Sequence, residues 1–474
     1  MSMDDFWSPD RFRAATQGRW LQRPDAHADS TETERLTGVC IDSRAVEPGV
    51  AFIAIRGERF DGHDFVDAAA AAGAALIVID REACVSQSGS CERVLLVEDT
   101  RRALGQLAAA YRKEFGSLRV VAITGSNGKT TTKRLVHAAL TTTLRGRMSP
   151  KSFNNDIGVP LTLLSARAGD QYLVVEVGTN APGEIAALGK LIEPDLAVIT
   201  NIGRSHLAGL GSVEGVAREK LSLLSCLAEG GWAITNADSP GLESLRLEGM
   251  NHLRFGASES ADIRISSVQA DADGVSFTLN GGTAWRVPLV GGHHAWNAAA
   301  AIAVARRFGL DDEAIAQGLH AVETDPLRFR TTAFRGATVY NDAYNANPES
   351  MLAALRTFQS VTPAGSRRIL VLGAMLELGD HAPSTHDEIV DEIARLDTES
   401  PFERVVLLGA EFADASARLT RRWSDGRVEW IERLDDAESA RIAEMIDPGS
   451  FVLLKGSRGV GLERILEAEE ASIG

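Results

Sequence analysis

The chain is poor in cysteine and has no long apolar run, and these two absences restrict its class. Its 474 residues include four cysteines, which lack the paired spacing of a metal site: Cys40, Cys84, Cys91 and Cys226. Because Cys84 and Cys91 lie in a Ser-rich stretch, we expect free thiols in a reducing compartment. No run of about eighteen apolar residues occurs, and the acidic start MSMDDFWSPD does not resemble a signal peptide. We therefore expect a cytoplasmic protein without a membrane segment.

Positive charge is also in deficit. Lys and Arg number 49 against 65 Asp and Glu, so the formal net charge is −16. This balance argues against a nucleic-acid surface and against general adhesion to anionic membranes. It leaves open small anionic ligands, which local cations and backbone N–H groups can hold. The length exceeds what one hydrophobic core usually fills, so we expect roughly two to four domains.

One strong ligand-binding signal is present, LRVVAITGSNGKTTT at residues 118–132. An apolar, β-branched run breaks into a glycine turn and restarts as a helix. Gly125 and Gly128 let backbone N–H groups surround an anion at the helix N-terminus. Lys129 can reach the β- and γ-phosphates, and the Thr130 hydroxyl can bind Mg²⁺. The loop is shorter than the usual GxxxxGK[ST]. We interpret it as an ATP site, and a structural turn that binds no nucleotide is the alternative.

Hydrophobic patterning divides the chain into three α/β zones, predicted as domains 1–112, 113–325 and 326–474. The first has short strands around an alanine-rich helix at 64–72. The second has near-continuous apolar strands, typical of a buried parallel sheet, then an alternating antiparallel appendage at 263–289 and a buried helix at 297–308. An acidic, Pro-containing connector at 320–329 is the expected hinge. The predicted strands are 38–41, 50–55, 75–79, 94–97, 120–124, 172–177, 196–200, 232–235, 369–372, 405–408 and 451–455.

Three side chains near strand ends are candidates for chemistry. Glu176 closes a strand expected beside the P-loop strand, where a carboxylate can hold Mg²⁺ or merely form a cap or salt bridge. His206 follows the next strand and is either a metal or phosphate ligand or a satisfied polar residue. Lys220 lies in an amphipathic helix at 216–224, and on this pattern alone it is a solvated surface lysine.

Two polar turns add further candidates. The loop KSFNNDIGVP contains the adjacent amides Asn154 and Asn155, which either bind a polar ligand or form a turn. The run LLKGSRG sets Lys455 and Arg458 in a glycine-bracketed turn after a strand. Such a turn suits a carboxylate or phosphate, although the bare pattern is weak.

Together these segments resemble the Mur ligase family, the ATP-dependent amide-bond ligases of peptidoglycan synthesis, over nearly the whole chain. VAITGSNGKTTT is similar to the family's P-loop, TNIGRSHLAGLGS to its His-bearing strand end, and IDSRAVEPGVAFIAIRGERFDGHDF to its UDP-sugar domain. The resemblance implies an α/β protein of three domains. They are a small α/β N-terminal UDP-sugar domain, a central P-loop ATPase domain with a parallel sheet, and a C-terminal Rossmann-like α/β domain.

Within the family, the segments favour the member that joins D-alanyl-D-alanine to a UDP-N-acetylmuramoyl-tripeptide. They are SFNNDIGVPLTLL, EVGTNAPGEI, NDAYNANPESM, GAMLELGD and KGSRG. The sibling that adds the third amino acid typically carries a DNPR element, which this sequence lacks. The resemblance implies ATP and Mg²⁺ as cofactors and the two peptides as partners, with no nucleic acid and no membrane. We also expect a monomer.

The resemblance also implies residue roles. The predicted nucleotide contacts are Gly125, Ser126, Asn127, Gly128, Lys129, Thr130, Thr131, Asn297, Arg328 and Asp342. The predicted metal ligands are Thr130, Glu176, His206 and Lys220, and the predicted catalytic residues are Lys129, Glu176, His206 and Lys220. Lys220 would be carbamylated, because an ammonium cannot bind Mg²⁺ whereas a carbamate offers anionic oxygens. The predicted substrate contacts are Ser43, Arg44, Asn154, Asn155, Asn345, Glu377, Lys455, Ser457 and Arg458.

The sequence departs from the family pattern in three places. His294 stands where an Asn often follows the first His of the adenine loop, which weakens the adenine assignment. Ala374 replaces the usual Asp of LGDMLELG. LSLLSC follows Lys220 where GEIF is usual, which weakens the register of that lysine.

A carboxylate is a poor electrophile, so the implied reaction must first activate it. ATP would phosphorylate the tripeptide carboxyl to an acyl phosphate, which the amine of D-alanyl-D-alanine then attacks, while Lys129 and Mg²⁺ neutralise charge. One alternative is a sibling ligase adding a single amino acid to a UDP-muramoyl peptide, or glutamate to folate, although the UDP-sugar-like zone counts against folate. Another alternative is a P-loop kinase or nucleotide-binding protein without ligase activity.

Overall fold

The computed structural model describes residues 6–22, 35–57, 59–82, 92–243, 245–323 and 325–467. These ranges form three α/β units, each built on its own sheet, which confirms the predicted fold class. Cys40 and Cys226 are free, as expected, whereas Cys84 and Cys91 lie outside the described residues. Within those ranges, no helix has both the length and the apolar character needed to cross a bilayer.

The N-terminal unit has a five-stranded sheet in the order β1-β5-β4-β3-β2. Its strands are parallel except β1, which pairs antiparallel with β5. The helix predicted at 64–72 starts as a 3-10 turn, Gly62–Phe65, because the Asp61 side chain accepts the His63 amide and caps that turn. The elements are α1 (Pro9–Thr16), β1 (Arg19–Gln22), β2 (Val39–Cys40), β3 (Ala51–Ile53), α2 (Val66–Ala71), β4 (Leu76–Ile79), β5 (Val94–Leu96) and α3 (Thr100–Arg112).

The central unit has a nine-stranded sheet in the order β14-β13-β12-β11-β10-β9-β6-β8-β7. Its strands are β6 (Arg119–Thr124), β7 (Gly146–Met148), β8 (Tyr172–Glu176), β9 (Leu196–Ile199), β10 (Trp232–Asn236), β11 (Asn251–Gly256), β12 (Ile263–Asp271), β13 (Gly274–Leu279) and β14 (Ala284–Val287). Its helices are α4 (Lys129–Leu140), α5 (Gly158–Leu164), α6 (Glu184–Ile192), α7 (Leu207–Leu210), α8 (Val213–Leu221), α9 (His294–Arg307) and α10 (Asp312–His320).

The order of the central strands places the predicted site residues together. Strand β6 pairs in parallel with β8 on one side and β9 on the other, so the P-loop, Glu176 and the His206 loop follow three neighbouring strands. The antiparallel region predicted at 263–289 is confirmed, because β13 pairs antiparallel with both β12 and β14. Strand β12 pairs with β11 and extends the same sheet. The sequence analysis missed β11 because NHLRFG has no apolar run.

The buried helix predicted at 297–308 is α9, and its alanines 298–301, 303 and 305 have no exposed surface. Their small side chains let α9 lie against α4, the helix that follows the P-loop. The P-loop helix therefore packs against both the sheet and α9.

The C-terminal unit has a six-stranded sheet in the order β15-β16-β20-β17-β18-β19, with only β15 antiparallel. Strand order reverses between β17 and β20, and ligand sites of open parallel sheets lie at such switch points. The elements are β15 (Arg330–Phe334), β16 (Ala337–Asp342), α11 (Pro348–Val361), β17 (Arg368–Gly373), α12 (Ala382–Glu399), β18 (Arg404–Leu408), α13 (Ala413–Arg422), β19 (Val428–Ile431), α14 (Asp436–Glu444), β20 (Phe451–Lys455) and α15 (Arg464–Glu467).

Candidate active site

A cleft of about 780 Å³ lies between the carboxyl ends of the central strands and the C-terminal unit. Its wall includes residues from both units, so neither unit forms it alone. The predicted site residues that line it are Ser126, Asn127, Gly128, Lys129, Thr130, Thr131, Asn154, Glu176, His206, Asn297, Arg328, Asp342, Asn345 and Lys455.

The P-loop has the backbone geometry of an anion cradle. Gly128 is left-handed, with φ of 79°, immediately before α4 begins at Lys129. A Cβ on Gly128 would overlap the Asn297 amide oxygen, so only glycine fits between the loop and α9. The N-terminal N–H groups of α4 face the cleft without intrahelical partners, as anion binding requires.

Lys129 folds back over the loop, where its Nζ donates to the Gly125 carbonyl at 2.7 Å. Burial lowers the pKa of this lysine. The next side chain, Thr130, joins three segments. Its hydroxyl donates to Glu176 Oε2 at 2.9 Å and accepts from Arg328 Nη2 at 2.9 Å. The first helical turn after the loop is thus tied to β8 and to the C-terminal unit.

Glu176 is the buried anion of this site. Its Oε1 accepts from Asn154 Nδ2 at 3.0 Å, and Lys133 Nζ lies 3.1 Å from Oε2. Burial opposes ionisation of Glu176, but the charges of Lys133, Lys129 and Arg328 outweigh it and hold its pKa below the usual value. The carboxylate therefore stays ionised in a region with an excess of positive charge.

Lys133 is a residue that the sequence analysis missed. It is 1% exposed, and its Nζ also donates to the Lys151 carbonyl. The available signal was its position, because residues i and i+4 of a helix share a face and Lys133 follows Lys129 by four. Lys133 therefore joins Lys129 and Arg328 as a basic side chain whose charge acts on Glu176.

Lys220 is buried, with 1% of its surface exposed, so its interpretation as a solvated surface lysine is wrong. Burial and the nearby charge of Lys129 lower its pKa well below the ordinary value. The sequence pattern misled because α8 packs against α6 and α7, and its lysine is buried rather than exposed to solvent.

His206 connects the central and C-terminal units. It is left-handed, with φ of 52°, and its Nδ1 lies 2.7 Å from Glu377 Oε2. The hydrogen bond from His206 lowers the pKa of Glu377. Glu377, predicted to face the substrate, is thus engaged with His206 and is not part of the cleft wall.

Arg204, two residues before His206, was not predicted as a site residue, and it also joins the central unit to the C-terminal unit. Its guanidinium bonds Glu349 Oε1 at 2.8 Å and Glu388 at 2.6 and 3.2 Å. Glu349 is in the first turn of α11 and lines the cleft. One arginine of the central unit therefore contacts two helices of the C-terminal unit beside the site.

Asn297 is held at both ends of its amide. Its Oδ1 accepts from Thr132 Oγ1 at 3.3 Å, and its Nδ2 lies 3.2 Å from His294 Nδ1. Burial lowers the pKa of His294 well below the usual value, so the ring stays neutral and its Nδ1 can accept. His294, the first departure from the family pattern, thus holds Asn297 beside the P-loop.

The C-terminal wall is built on Lys455 at the end of β20. Its Nζ donates to Asp342 Oδ2 at 2.6 Å and to the Asn345 carbonyl at 3.1 Å. Ser457 Oγ accepts the Leu376 amide at 2.9 Å, and Arg458 pairs with Glu463 at 3.1 Å. Ser457 and Arg458 lie outside the cleft wall.

Three other predicted substrate residues also lie outside that wall. The Asn155 amide oxygen accepts the Ile157 and Gly158 amides at the start of α5, so Asn155 forms a turn, which was the alternative to ligand binding. Ser43 and Arg44 form a 3-10 turn of the N-terminal unit, where Arg44 pairs with Asp42 at 2.7 Å. Their substrate contacts stay predictions.

Ala374, the second departure from the family pattern, is fully buried after β17. A Cβ on Gly409 would contact the Ala374 Cβ, so the two positions are closely packed. The packing therefore explains a small side chain at position 374.

The site offers an oxygen pair suited to a divalent cation. Thr130 Oγ1 and Glu176 Oε2 are 2.9 Å apart and buried at the cleft. In the described part of the chain, no group of three or more His, Cys, Asp or Glu could hold a metal by itself. Mg²⁺ commonly uses one or two protein oxygens together with phosphates and water. The donor set therefore fits Mg²⁺ bound jointly with a nucleotide.

Comparisons with known proteins match each of the three units. Residues 35–112 match the Mur ligase family catalytic domain, residues 123–305 the Mur ligase middle domain, and residues 327–458 the Mur ligase glutamate ligase domain.

Among curated relatives, the UDP-N-acetylmuramoyl-tripeptide–D-alanyl-D-alanine ligase of Bacillus subtilis strain 168 is 38% identical over 91% of this chain and 93% of that protein. The ligase of the same name from Escherichia coli K12 is 34% identical over 91% and 93%. A MurF crystal structure from Acinetobacter baumannii superposes with a TM-score of 0.83 at 30% identity, covering 97% of this chain and 98% of that one. The ADP complex of MurF from Thermotoga maritima gives 0.76 at 28%, covering 92% and 97%.

Gly128→Ala tests the P-loop cradle. The added Cβ meets Asn297 and forces a left-handed residue with a side chain, so we expect ATP affinity to fall at least about tenfold, equivalent to about 1.4 kcal/mol. Gly230→Ala is the matched control, since its φ of 75° is similar but a Cβ there meets nothing within 4 Å. Calorimetric titration with ATP measures both variants. Equal affinities in the two would contradict the assignment of the cradle.

Proposed function

The chain belongs to the Mur ligase family, and we propose that it uses ATP to join D-alanyl-D-alanine to a UDP-N-acetylmuramoyl-tripeptide in peptidoglycan synthesis. The observation that carries this proposal is the cleft, in which the P-loop, Glu176 and the C-terminal wall converge. Relatives of that specificity, 33–38% identical over more than nine-tenths of the chain, support it. The enzyme is an ATP-dependent ligase that forms a carbon–nitrogen bond.

The three units support a division of labour. We propose that residues 1–112 bind the UDP-muramoyl peptide, 113–325 bind ATP, and 326–474 bind the dipeptide. The three family matches and the three sheets each fall within these limits. The cytoplasmic location and the monomeric state stay predictions.

In the proposed reaction, the tripeptide carboxylate oxygen attacks the γ-phosphorus of ATP, and the bond to the β-phosphate oxygen breaks. The dipeptide amine then attacks the acyl carbon, and phosphate leaves with the oxygen that came from the carboxylate. Both steps develop negative charge near the phosphate. Preorganised cations are the largest contribution that a protein can make to such steps.

We assign that contribution to Lys129, Lys133 and Arg328, whose charges converge on Glu176. Mg²⁺, when bound at Thr130 and Glu176, supplies further neutralisation of the phosphates. His206 and a carbamylated Lys220 are proposed as additional metal ligands. Asn297 and Asp342 are proposed to orient the nucleotide, and Asn154, Asn345 and Lys455 to contact the peptide substrates.

Lys129→Ala tests the role of the P-loop cation. Loss of one preorganised charge should lower kcat about 10²-fold or more, since the phosphoryl charge then develops with one cation fewer. Phosphate release in the presence of both peptides measures the effect, and thermal unfolding checks the fold. Lys190→Ala, which removes an exposed lysine of α6, should leave turnover unchanged. A Lys129→Ala variant with more than half of normal turnover would refute the P-loop assignment.

Selectivity for a dipeptide distinguishes this function from that of the sibling ligases. We expect D-alanyl-D-alanine to be accepted, and free D-alanine or a diamino acid to be used poorly. A site built for the second residue's carboxylate leaves buried polar groups unpaired when that residue is absent. Ratios of kcat/KM across these amines measure the preference. Comparable values for a single amino acid would move the assignment to a sibling ligase, and phosphate release without any amine to a kinase or ATPase.

Lys220→Ala should be inactive and partly rescued by a small carboxylate such as acetate. A carbamate at Lys220 would supply anionic oxygens, whereas the ammonium of an unmodified lysine would repel a metal. The depressed pKa of this lysine favours the neutral amine that carbamylation requires. Rescue should rise with acetate concentration and be absent in Lys129→Ala. Full activity of Lys220→Ala, or a bare amine seen with nucleotide and Mg²⁺ bound, would contradict this role.

A further inference from the structure

Glu219, the residue before Lys220, is a buried carboxylate that forms no salt bridge with any described side chain, although its charge acts on that of Lys220. Only 6% of its surface is exposed. Burying an anion without a cation is costly unless hydrogen-bond donors satisfy it. Glu219 must therefore be held by donors, and these donors show what it connects.

Both carboxylate oxygens of Glu219 are engaged by the start of α6. Oε2 accepts the Gly183 amide at 2.7 Å, and Oε1 accepts the Ile185 amide at 2.8 Å and the Thr179 hydroxyl at 3.4 Å. The first N–H groups of a helix have no intrahelical partner and carry partial positive charge. Glu219 supplies the missing acceptor, although it lies 34 residues after Ile185 in the chain.

This contact joins two segments that carry proposed metal-site residues. Strand β8 ends at Glu176, and the loop after it leads directly to Gly183 and α6. Helix α8 carries Lys220 next to Glu219. The bonds from Glu219 to α6 therefore couple the position of Lys220 to that of Glu176.

Neighbouring side chains on a helix diverge by about 100°, so Glu219 and Lys220 cannot face the same way. With Glu219 directed at α6, Lys220 lies on another side of α8, where it is 1% exposed. Burial and the charge of Lys129 lower the pKa of Lys220. Release of Glu219 would free the end of α8 to rotate and would move the Lys220 amine.

We propose that Glu219 is a positioning residue of the ligation reaction, which fixes the α8–α6 contact and thereby sets where Lys220 stands. The proposal rests on the proposed function, because it requires Lys220 to act in the reaction. Glu219 itself faces α6 and is not part of the cleft wall.

The test compares Glu219→Ala and Glu219→Gln with a matched control. Asp435→Ala removes another acidic side chain that caps a helix start, where Asp435 accepts the Glu438 amide at 2.8 Å in the C-terminal unit. For each variant, steady-state kinetics give kcat and the KM for ATP, and thermal unfolding gives Tm. Hydrogen exchange at the Gly183 and Ile185 amides reports whether the contact is lost.

We expect faster exchange at both amides in Glu219→Ala and a fall in kcat of about tenfold or more, since small displacements of a reacting group have effects of this size. The KM for ATP should stay within about threefold, the variant should remain folded at the assay temperature, and Asp435→Ala should keep its kcat. Gln retains the length and one acceptor oxygen, so Glu219→Gln should lie between Ala and the unaltered enzyme. If Glu219→Ala does not fold, Glu219→Gln is judged by the same criteria.

A kcat within about twofold of normal, despite fast exchange at the two amides, would show that the contact is only structural and would overturn the inference. Slow exchange in Glu219→Ala would overturn it too, because the contact would then not hold α6 in solution. A rise in the KM for ATP without a fall in kcat would assign Glu219 to nucleotide binding instead. These outcomes leave the ligase function intact, whereas failure of the unaltered protein to release phosphate with both peptides would overturn both proposals.

Discussion

The ionised carboxylate of Glu176, buried among Lys129, Lys133 and Arg328, is the interaction on which the site depends. It ties the end of β8 to the P-loop helix through Thr130 and to the 151–160 loop through Asn154. One anion does not balance three cations, so the protein alone leaves an excess of positive charge at the P-loop. The triphosphate group of ATP is a ligand that would neutralise this positive charge. The same positive charge stabilises a phosphoryl group as negative charge develops on it.

Contacts around this charged site also join the central unit to the C-terminal unit. Arg328, from the start of the C-terminal unit, reaches Thr130, and Asn347 donates to Asn127 of the P-loop at 2.8 Å. Arg204 and His206 contact the C-terminal unit in the opposite direction. The nucleotide cradle is thus completed by groups from both sides of the cleft. Such an arrangement can exclude water from an acyl phosphate, which hydrolysis would otherwise destroy.

Local patterns predicted what lies within a single segment. The apolar run and glycine turn at 118–132 predicted the P-loop strand, its glycine turn and the helix start, and the parallel strands placed Glu176 beside them. Contacts between distant segments could not be predicted this way. Lys220 was interpreted as solvated because helix periodicity does not say which face packs against another element. The role of Arg204 could not be predicted from a local motif, since its partners lie more than a hundred residues away in the chain. Asn155 was predicted to contact substrate because its amide suits a polar ligand, but an amide also suits the turn that Asn155 occupies.

In the proposed reaction, ATP activates the tripeptide carboxylate before the amine attacks. Isotope transfer tests it most directly, with the tripeptide labelled with ¹⁸O in its terminal carboxylate and incubated with ATP, Mg²⁺, D-alanyl-D-alanine and the enzyme. An acyl phosphate transfers one carboxylate oxygen to the released phosphate, so we predict one ¹⁸O atom per phosphate formed. Unlabelled phosphate, or label appearing in AMP, would contradict the proposed reaction.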